Sequence, residues 1–266
     1  MTRKEPITIG TLSMEQQWYA EREWVRRYSV LHPCFSRRQE RCERFMRSRA
    51  ESYMVVRLDG IDMSRRFLKN GLFHERFDKC LHRAVLQALN DYCADSSGSI
   101  MVMCCSDEVS LIESRPNALG ADSSLFKMIS VLASLLTYYF NANAHRMPWR
   151  RLGYQGGFDA RPIQLLNKLE INNYIGYRLA LYQRNTLTKL LRLKKVPASE
   201  IYREPFYNHI DYLFEKSVSV QDYRELSHYI QQPAFCRWPN KNQPWFHLQT
   251  LADFDRQLKL NQLISD

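Results

Sequence analysis

A chain of 266 residues in which 45% are hydrophobic has enough apolar side chains to bury a core, which excludes wholesale disorder. Its 38 Lys and Arg against 28 Asp and Glu leave a formal charge of +10, a balance that favours polyanionic partners: nucleic acid, nucleotides or an anionic membrane surface. Seven cysteines, an odd number with no CxxC spacing, exclude a disulfide framework and fit a reduced compartment.

In chain order, residues 1–6 lack the apolar stretch of a secretory signal. No uncharged apolar run reaches the length of a bilayer, so the expectation is a soluble cytoplasmic protein with no membrane partner. Residues 1–52 read as a basic helical extension, with helices near 14–28 and 36–49 split at His32-Pro33. The dense arginines from Arg37 to Arg49 suit either a solvated helix or an arm that contacts phosphates.

Residues 53–163 carry the best-ordered pattern. Tyr53-Met54-Val55-Val56-Arg57-Leu58 reads as a strand that ends at Asp59-Gly60. Phe73, Phe77, Leu81, Val85, Leu89 and Tyr92 recur at helical spacing. After a turn at 95–98, Ile100-Met101-Val102-Met103-Cys104-Cys105 is an apolar run of strand length, as expected for a strand covered on both faces. Ser106-Asp107-Glu108 interrupts it, and residues 109–112 return as a second hairpin strand. Leu125, Met128, Leu132, Leu135 and Tyr139 mark another helix, and Gly156 to Arg161 lead to a final strand expected to stop near Pro162.

This order, βαββαβ, predicts an α+β fold with a ferredoxin-like palm: an antiparallel sheet, helices on one face and the other face free to form a site. Residues 164–266 read as a mostly helical C-terminal region, with a last helix at 248–263.

Asp59 closes the first strand, and Asp107 and Glu108 lie between the hairpin strands, so three carboxylates can converge at one edge of the sheet. Mg²⁺ uses one or two carboxylates together with waters and substrate phosphates, and two such ions suit phosphoryl and nucleotidyl transfer. Gly60, without a Cβ, lets a metal or triphosphate approach the backbone. The plain alternative is that Asp-Gly and Ser-Asp-Glu are ordinary turns. No histidine spacing suits zinc, and no Walker loop or G-x-S-x-G occurs.

Here the residues meet a family. Arg57-Leu58-Asp59-Gly60, Ser106-Asp107-Glu108-Val109-Ser110, Lys127-Met128-Ile129-Ser130 with Ala133-Ser134, and Phe158-Asp159-Ala160-Arg161 resemble, in order, four motifs of the histidine-tRNA guanylyltransferases and their relatives. Arg178 and Asn185 match two positions of a further family helix. The resemblance implies a palm-fold nucleotidyltransferase that adds nucleotides to the 5′ end of tRNA, a 3′–5′ polymerase with two Mg²⁺ ions and ATP, GTP or another NTP as substrate. It implies Asp59, Asp107 and Glu108 as catalytic, with Asp59, Asp107 and the Gly60 carbonyl on the metals. Asp107, Glu108, Lys127 and Ser130 would meet the nucleotide, and Arg161, Arg178 and Asn185 the RNA.

Without the family, Lys127 reads as a snorkelling surface lysine and Ser130 as a hydroxyl bonded back to its own helix. The family also implies a homo-oligomer, a tetramer or dimer. The sequence departs from the family at Glu75-Arg76 and at Ser123 or Ser124, where basic groups are expected, at Tyr177, which replaces a Trp, and at Leu179 and Leu181, which replace Gln and Asp. That marks a divergent member whose RNA is not simply histidine tRNA. Two other outputs suit the same residues: a palm enzyme making a small nucleotide, and a non-catalytic RNA-binding relative.

Overall fold

The computed structural model describes residues 14–45, 52–63, 75–93, 99–116, 118–119, 125–145, 153, 155–193, 195–201, 233–239 and 245–247. The expected turn at 95–98, Ser123, Ser124, the helix at 248–263 and the side chains of Glu75 and Arg76 lie outside the described residues.

The palm order is present. Strand β1 (Tyr53–Gly60), helix α3 (Glu75–Tyr92), strands β2 (Ile100–Cys105) and β3 (Glu108–Glu113), helix α4 (Leu125–Asn143) and strand β4 (Phe158–Leu165) follow one another. They are preceded by α1 (Met14–Ser29) and α2 (His32–Phe45). A long helix α5 (Lys168–Leu193), a short α6 (Ala198–Ile201) and strands β5 (Ala234–Trp238) and β6 (Phe246–His247) follow. The antiparallel sheet runs β4-β1-β3-β2-β5-β6. Its four middle-of-chain strands therefore stand in ferredoxin-like order, with β5 and β6 added beyond β2.

Three boundaries differ from the sequence expectation. Helix α2 starts at His32 rather than Ser36, because a proline is tolerated in a first helical turn, where its missing N–H has no partner to lose. Pro162 does not stop β4, which continues to Leu165. β4 lies at the rim of the sheet and pairs on one side only, so one absent donor is affordable there. The C-terminal region, expected to be helical, contributes β5. Ala234, Phe235 and Cys236 fill the two faces of the sheet alternately, and the Trp238 indole N–H donates to Asn90 Oδ1 at 2.8 Å.

The larger correction concerns the second face. Period-two alternation sends Val56, Leu58, Val102, Cys104, Val109 and Leu111 to one side, where Phe77, Leu81, Leu89, Leu132, Leu136 and Phe140 of α3 and α4 cover them. Val55, Met101, Met103, Ile112 and Ile163 point to the other side. That side is not free: Ile171, Tyr174, Ile175 and Leu179 of α5 cover it, with Trp24, Val25 and Tyr28 of α1 and Phe35 of α2. Strands β2 and β3 are buried at all twelve positions, and β2 accordingly reads as one unbroken apolar run. Only the ends of the strands remain to build a site.

At one end Glu113 is buried and accepts from the backbone N–H groups of Met54 and Leu119, each at 2.7 Å. The carboxylates of interest lie at the opposite end.

α4 is the one helix among the described residues long and apolar enough to cross a membrane by length and composition. Its buried residues Leu125, Met128, Leu132, Leu136 and Phe140 form one stripe at helical spacing, as a core helix requires.

α1 crosses α5 at Gly176, where an added Cβ would stand 2.2 Å from the buried ring of Tyr28. Helix propensity alone makes Gly176→Val close to neutral. The packing predicts a loss of about 2 kcal/mol or more, because neither ring nor helix has room to retreat. A urea unfolding midpoint equal to that of the parent contradicts this contact.

Candidate catalytic centre

The hairpin between β2 and β3 is closed by two residues, Ser106 and Asp107, between the paired Cys105 and Glu108. Ser106 has φ of 61°, a left-handed conformation that glycine adopts freely and a serine holds at a cost of about 1 kcal/mol. That strain sits beside the acidic pair, and the Ser106 hydroxyl is buried without a partner.

Strand register assembles the rest. Asp59 lies directly opposite Glu108 on β3 and opposite Asp159 on β4. One row across three strands therefore reads Asp159, Asp59, Glu108, all on the α5 face. Arg57 pairs across to Arg161 and to Ser110 in a second row on that face. Like charges placed directly opposite repel, so the acidic row needs compensation. Arg161 donates to Asp159 at 2.9 Å, Arg57 approaches Asp59 at 3.4 Å, and Arg57 Nε stands 3.8 Å from Glu108.

From above, Arg178 of α5 takes both oxygens of Glu108. Its Nε donates to Oε1 at 2.8 Å and its Nη2 donates to Oε2. Burial disfavours the charged guanidinium, but Glu108 with Tyr174 and Tyr177 more than reverses this, so Arg178 is held protonated. The hydroxyls of Tyr174 and Ser110 are 2.9 Å apart, and burial pushes the tyrosine well above its usual range.

Asp59 keeps the imbalance. Its carboxyl is pushed up to about 6, first by burial and then by the charge of Glu108 and, less, Asp107; Arg57 opposes the shift. A carboxylate crowded by carboxylates is what a bound cation relieves.

The geometry around Gly60 fits the metal that the fold implies. The Gly60 N–H donates to the Asp107 carbonyl at 3.2 Å, and a Cβ on Gly60 would lie 2.7 Å from Met63 Sδ and 3.0 Å from Asp107 Cβ. β1 and the hairpin turn thus meet with no room for a side chain between Asp59 and Asp107. Among the described residues no three His, Cys, Asp or Glu side chains converge as a metal cage. Two carboxylates with a backbone carbonyl is instead the open donor set that suits Mg²⁺ completed by waters and phosphate.

The other expected residues divide. Glu108, expected at the nucleotide, has both oxygens engaged by Arg178, and Arg178, expected at RNA, is turned inward to that pair. Lys127 and Ser130 are exposed on the first turns of α4. β3 leads away from the carboxylates to Glu113, so α4 begins at the far end of the sheet. It returns at Phe140, whose ring packs on Phe158 with centroids 5.5 Å apart, and Phe158 pairs with Gly60. Helical rise places Lys127 roughly 20 Å along the axis from Phe140. Lys127 and Ser130 thus lie at the end of α4 opposite the turn that meets β4. Ser130 instead donates to the Lys127 carbonyl at 3.0 Å, the local bond its helix offers. Asn185 is exposed on α5 and Arg161 is half-exposed.

Sequence reasoning missed Asp159 as a member of the acidic row and Tyr174 as the partner of Ser110. The first had a signal: Arg57-x-Asp59 and Asp159-x-Arg161 are one pattern read in opposite directions, as antiparallel neighbours require. Tyr174 had none beyond its place on an apolar helix face.

The sequence profile described as tRNAHis guanylyltransferase matches residues 36–166. No curated protein matches the sequence. Among solved structures, a bacterial tRNA(His) guanylyltransferase-like protein in complex with ATP is similar, at 20% identity and a TM-score of 0.52 over 87% of this chain and 99% of that one. The tRNA(His) guanylyltransferase of Saccharomyces cerevisiae is similar at 17% identity, with a TM-score of 0.50 over 80% of this chain and 98% of that one. At these identities the likeness is one of fold.

Proposed function

We propose that this chain, whose residues 36–166 match the profile described as tRNAHis guanylyltransferase, is a metal-dependent nucleotidyltransferase that adds nucleotides to the 5′ end of tRNA or a tRNA-like RNA. The carrying observation is the meeting of β1 with the hairpin turn at Gly60, which sets Asp59 near Asp107, together with an Asp59 carboxyl pushed up to about 6 by burial and by Glu108. In this reading Asp59, Asp107 and the Gly60 carbonyl hold two Mg²⁺. The ions would neutralise phosphate charge and favour the attacking hydroxyl. ATP, GTP or another NTP is the second substrate.

The protein's own contribution is preorganisation. The two-residue turn fixes Asp107, the sheet register fixes Asp59, and Arg57 in the row behind favours the ionised form of Asp59. The basic balance of +10 suits an RNA substrate over a small nucleotide acceptor. Arg161, half-exposed on β4, and Asn185, exposed on α5, are assigned to the RNA. The same reading takes the enzyme to work in the cytoplasm as a homo-oligomer.

The substrate assigned is a tRNA with an incomplete 5′ end, extended against the opposing strand. Leu179 is fully buried and Leu181 is packed against the same core, so neither offers a polar edge to one particular RNA. Base pairing can then choose the incoming nucleotide. The test uses tRNAs lacking their first nucleotide, each with a different base opposite the gap, supplied with Mg²⁺ and labelled NTPs. Incorporation is expected to follow Watson–Crick pairing in every case. Addition of G alone, whatever the opposing base and only to histidine tRNA, sinks the repair reading.

A further inference from the structure

Glu108 stands where a metal ligand would be expected, yet its carboxylate is occupied elsewhere. It lies directly opposite Asp59 and follows Asp107 in sequence. Facing residues of an antiparallel pair have Cβ atoms about 5 Å apart, so Glu108 is within reach of an ion held by Asp59. Instead Arg178 forks onto both oxygens, and each partner's side chain is only 11% exposed.

The fork cannot slide. Tyr174, one helical turn before Arg178, meets Ser110, two residues along β3 from Glu108, at 2.9 Å. Four residues of helix rise about 6 Å and two residues of strand about 6.6 Å. The pairs Tyr174–Ser110 and Arg178–Glu108 therefore lock α5 to β3 in one register. The neighbours of α5 reinforce the position: Tyr177 packs on Phe35 with ring centroids 5.1 Å apart, and Gly176 admits Tyr28.

We propose that Arg178 is a positioning residue whose fork onto Glu108 withholds that carboxylate from the cation site of Asp59 and Asp107. The proposal rests on the reading of those two aspartates as cation ligands. Its physical sense lies in coordination. A third carboxylate would tighten the ion and fill positions that waters and substrate phosphates need, since carboxylate count sets affinity while Mg²⁺ chemistry needs an open sphere. Held by Arg178, Glu108 leaves those positions open.

The test measures Mn²⁺ affinity of the full chain without nucleotide, by the electron paramagnetic resonance of free Mn²⁺, beside single-turnover incorporation. Arg178→Met is expected to bind Mn²⁺ about tenfold more tightly than the parent, because the released Glu108 adds its charge to the site. Incorporation is expected to fall at least tenfold. Adding Glu108→Gln to Arg178→Met returns Mn²⁺ affinity to about the parent value. A merely structural role would weaken affinity and turnover together. An Arg178→Met protein that stays folded and binds Mn²⁺ no more tightly than the parent overturns the proposal. Should it fail to fold, Arg178→Lys, which keeps a charge but cannot fork, is expected to tighten Mn²⁺ binding in the same direction; parent affinity there overturns it equally. A parent protein that binds no Mn²⁺, or an Asp59→Asn protein that binds it as the parent does, removes the cation site itself and the proposal with it.

Discussion

Asp59→Ala and Asp107→Ala are each expected to abolish nucleotide incorporation while leaving the protein folded. Losing a carboxylate that would hold the catalytic ions should cost several kcal/mol in the transition state, and about 4 kcal/mol is roughly a thousandfold in rate. The stability half of the prediction is as sharp. Asp59 is partly buried beside Glu108 and Asp107, and both the burial and the like charges disfavour its ionised form in the folded protein. Above about pH 6 its charge therefore opposes folding, and alanine removes that opposition. An activity lost through unfolding would show a lowered thermal midpoint; here the Asp59→Ala midpoint at neutral pH should equal or exceed the parent's. Near-parent turnover in either variant at matched Mg²⁺ removes the catalytic assignment.

Binding of tRNA should collapse with salt. If five of the surplus cations meet phosphates, log affinity should fall with a slope of about −3.5 to −4.5 against log salt. Between 50 and 200 mM that is a loss of roughly a hundredfold or more. A flat response, or no tRNA binding at low salt, returns the reading to a small nucleotide acceptor. Arg161→Ala, at the half-exposed end of β4, should reduce the slope by about one if its guanidinium contacts a phosphate.

Much of the palm was legible because β2 is an unbroken apolar run and β1 nearly one, each with an acid at its end. Asp59 follows the run Tyr53–Leu58 and Asp107 follows Ile100–Cys105 after Ser106, and β1 to β4 stand where those runs placed them. What covers the second face was less legible. Ile171, Tyr174 and Leu179 look like any amphipathic helix, and only the two-sided apolarity of Val55, Met101 and Ile112 demands that they fold back onto the sheet. The partnership of Arg178 with Glu108 spans 70 residues of sequence and follows from helix-on-strand register, which no local pattern carries. The separation of Lys127 from the carboxylates, by contrast, was available in principle: in a βαββαβ palm the second helix starts at the end of the sheet away from the hairpin turn.

Pro162 has a further consequence outside the fold of a single molecule. A sheet with an unbroken outer strand offers its backbone to any extended chain that drifts past, the route to lateral aggregation. In this sheet one flank carries a residue that cannot donate, and the strand at the other flank has two residues among those described. At the Pro162 flank, therefore, a neighbouring copy meets a ladder with a missing donor, which guards that rim against stacking in a concentrated solution.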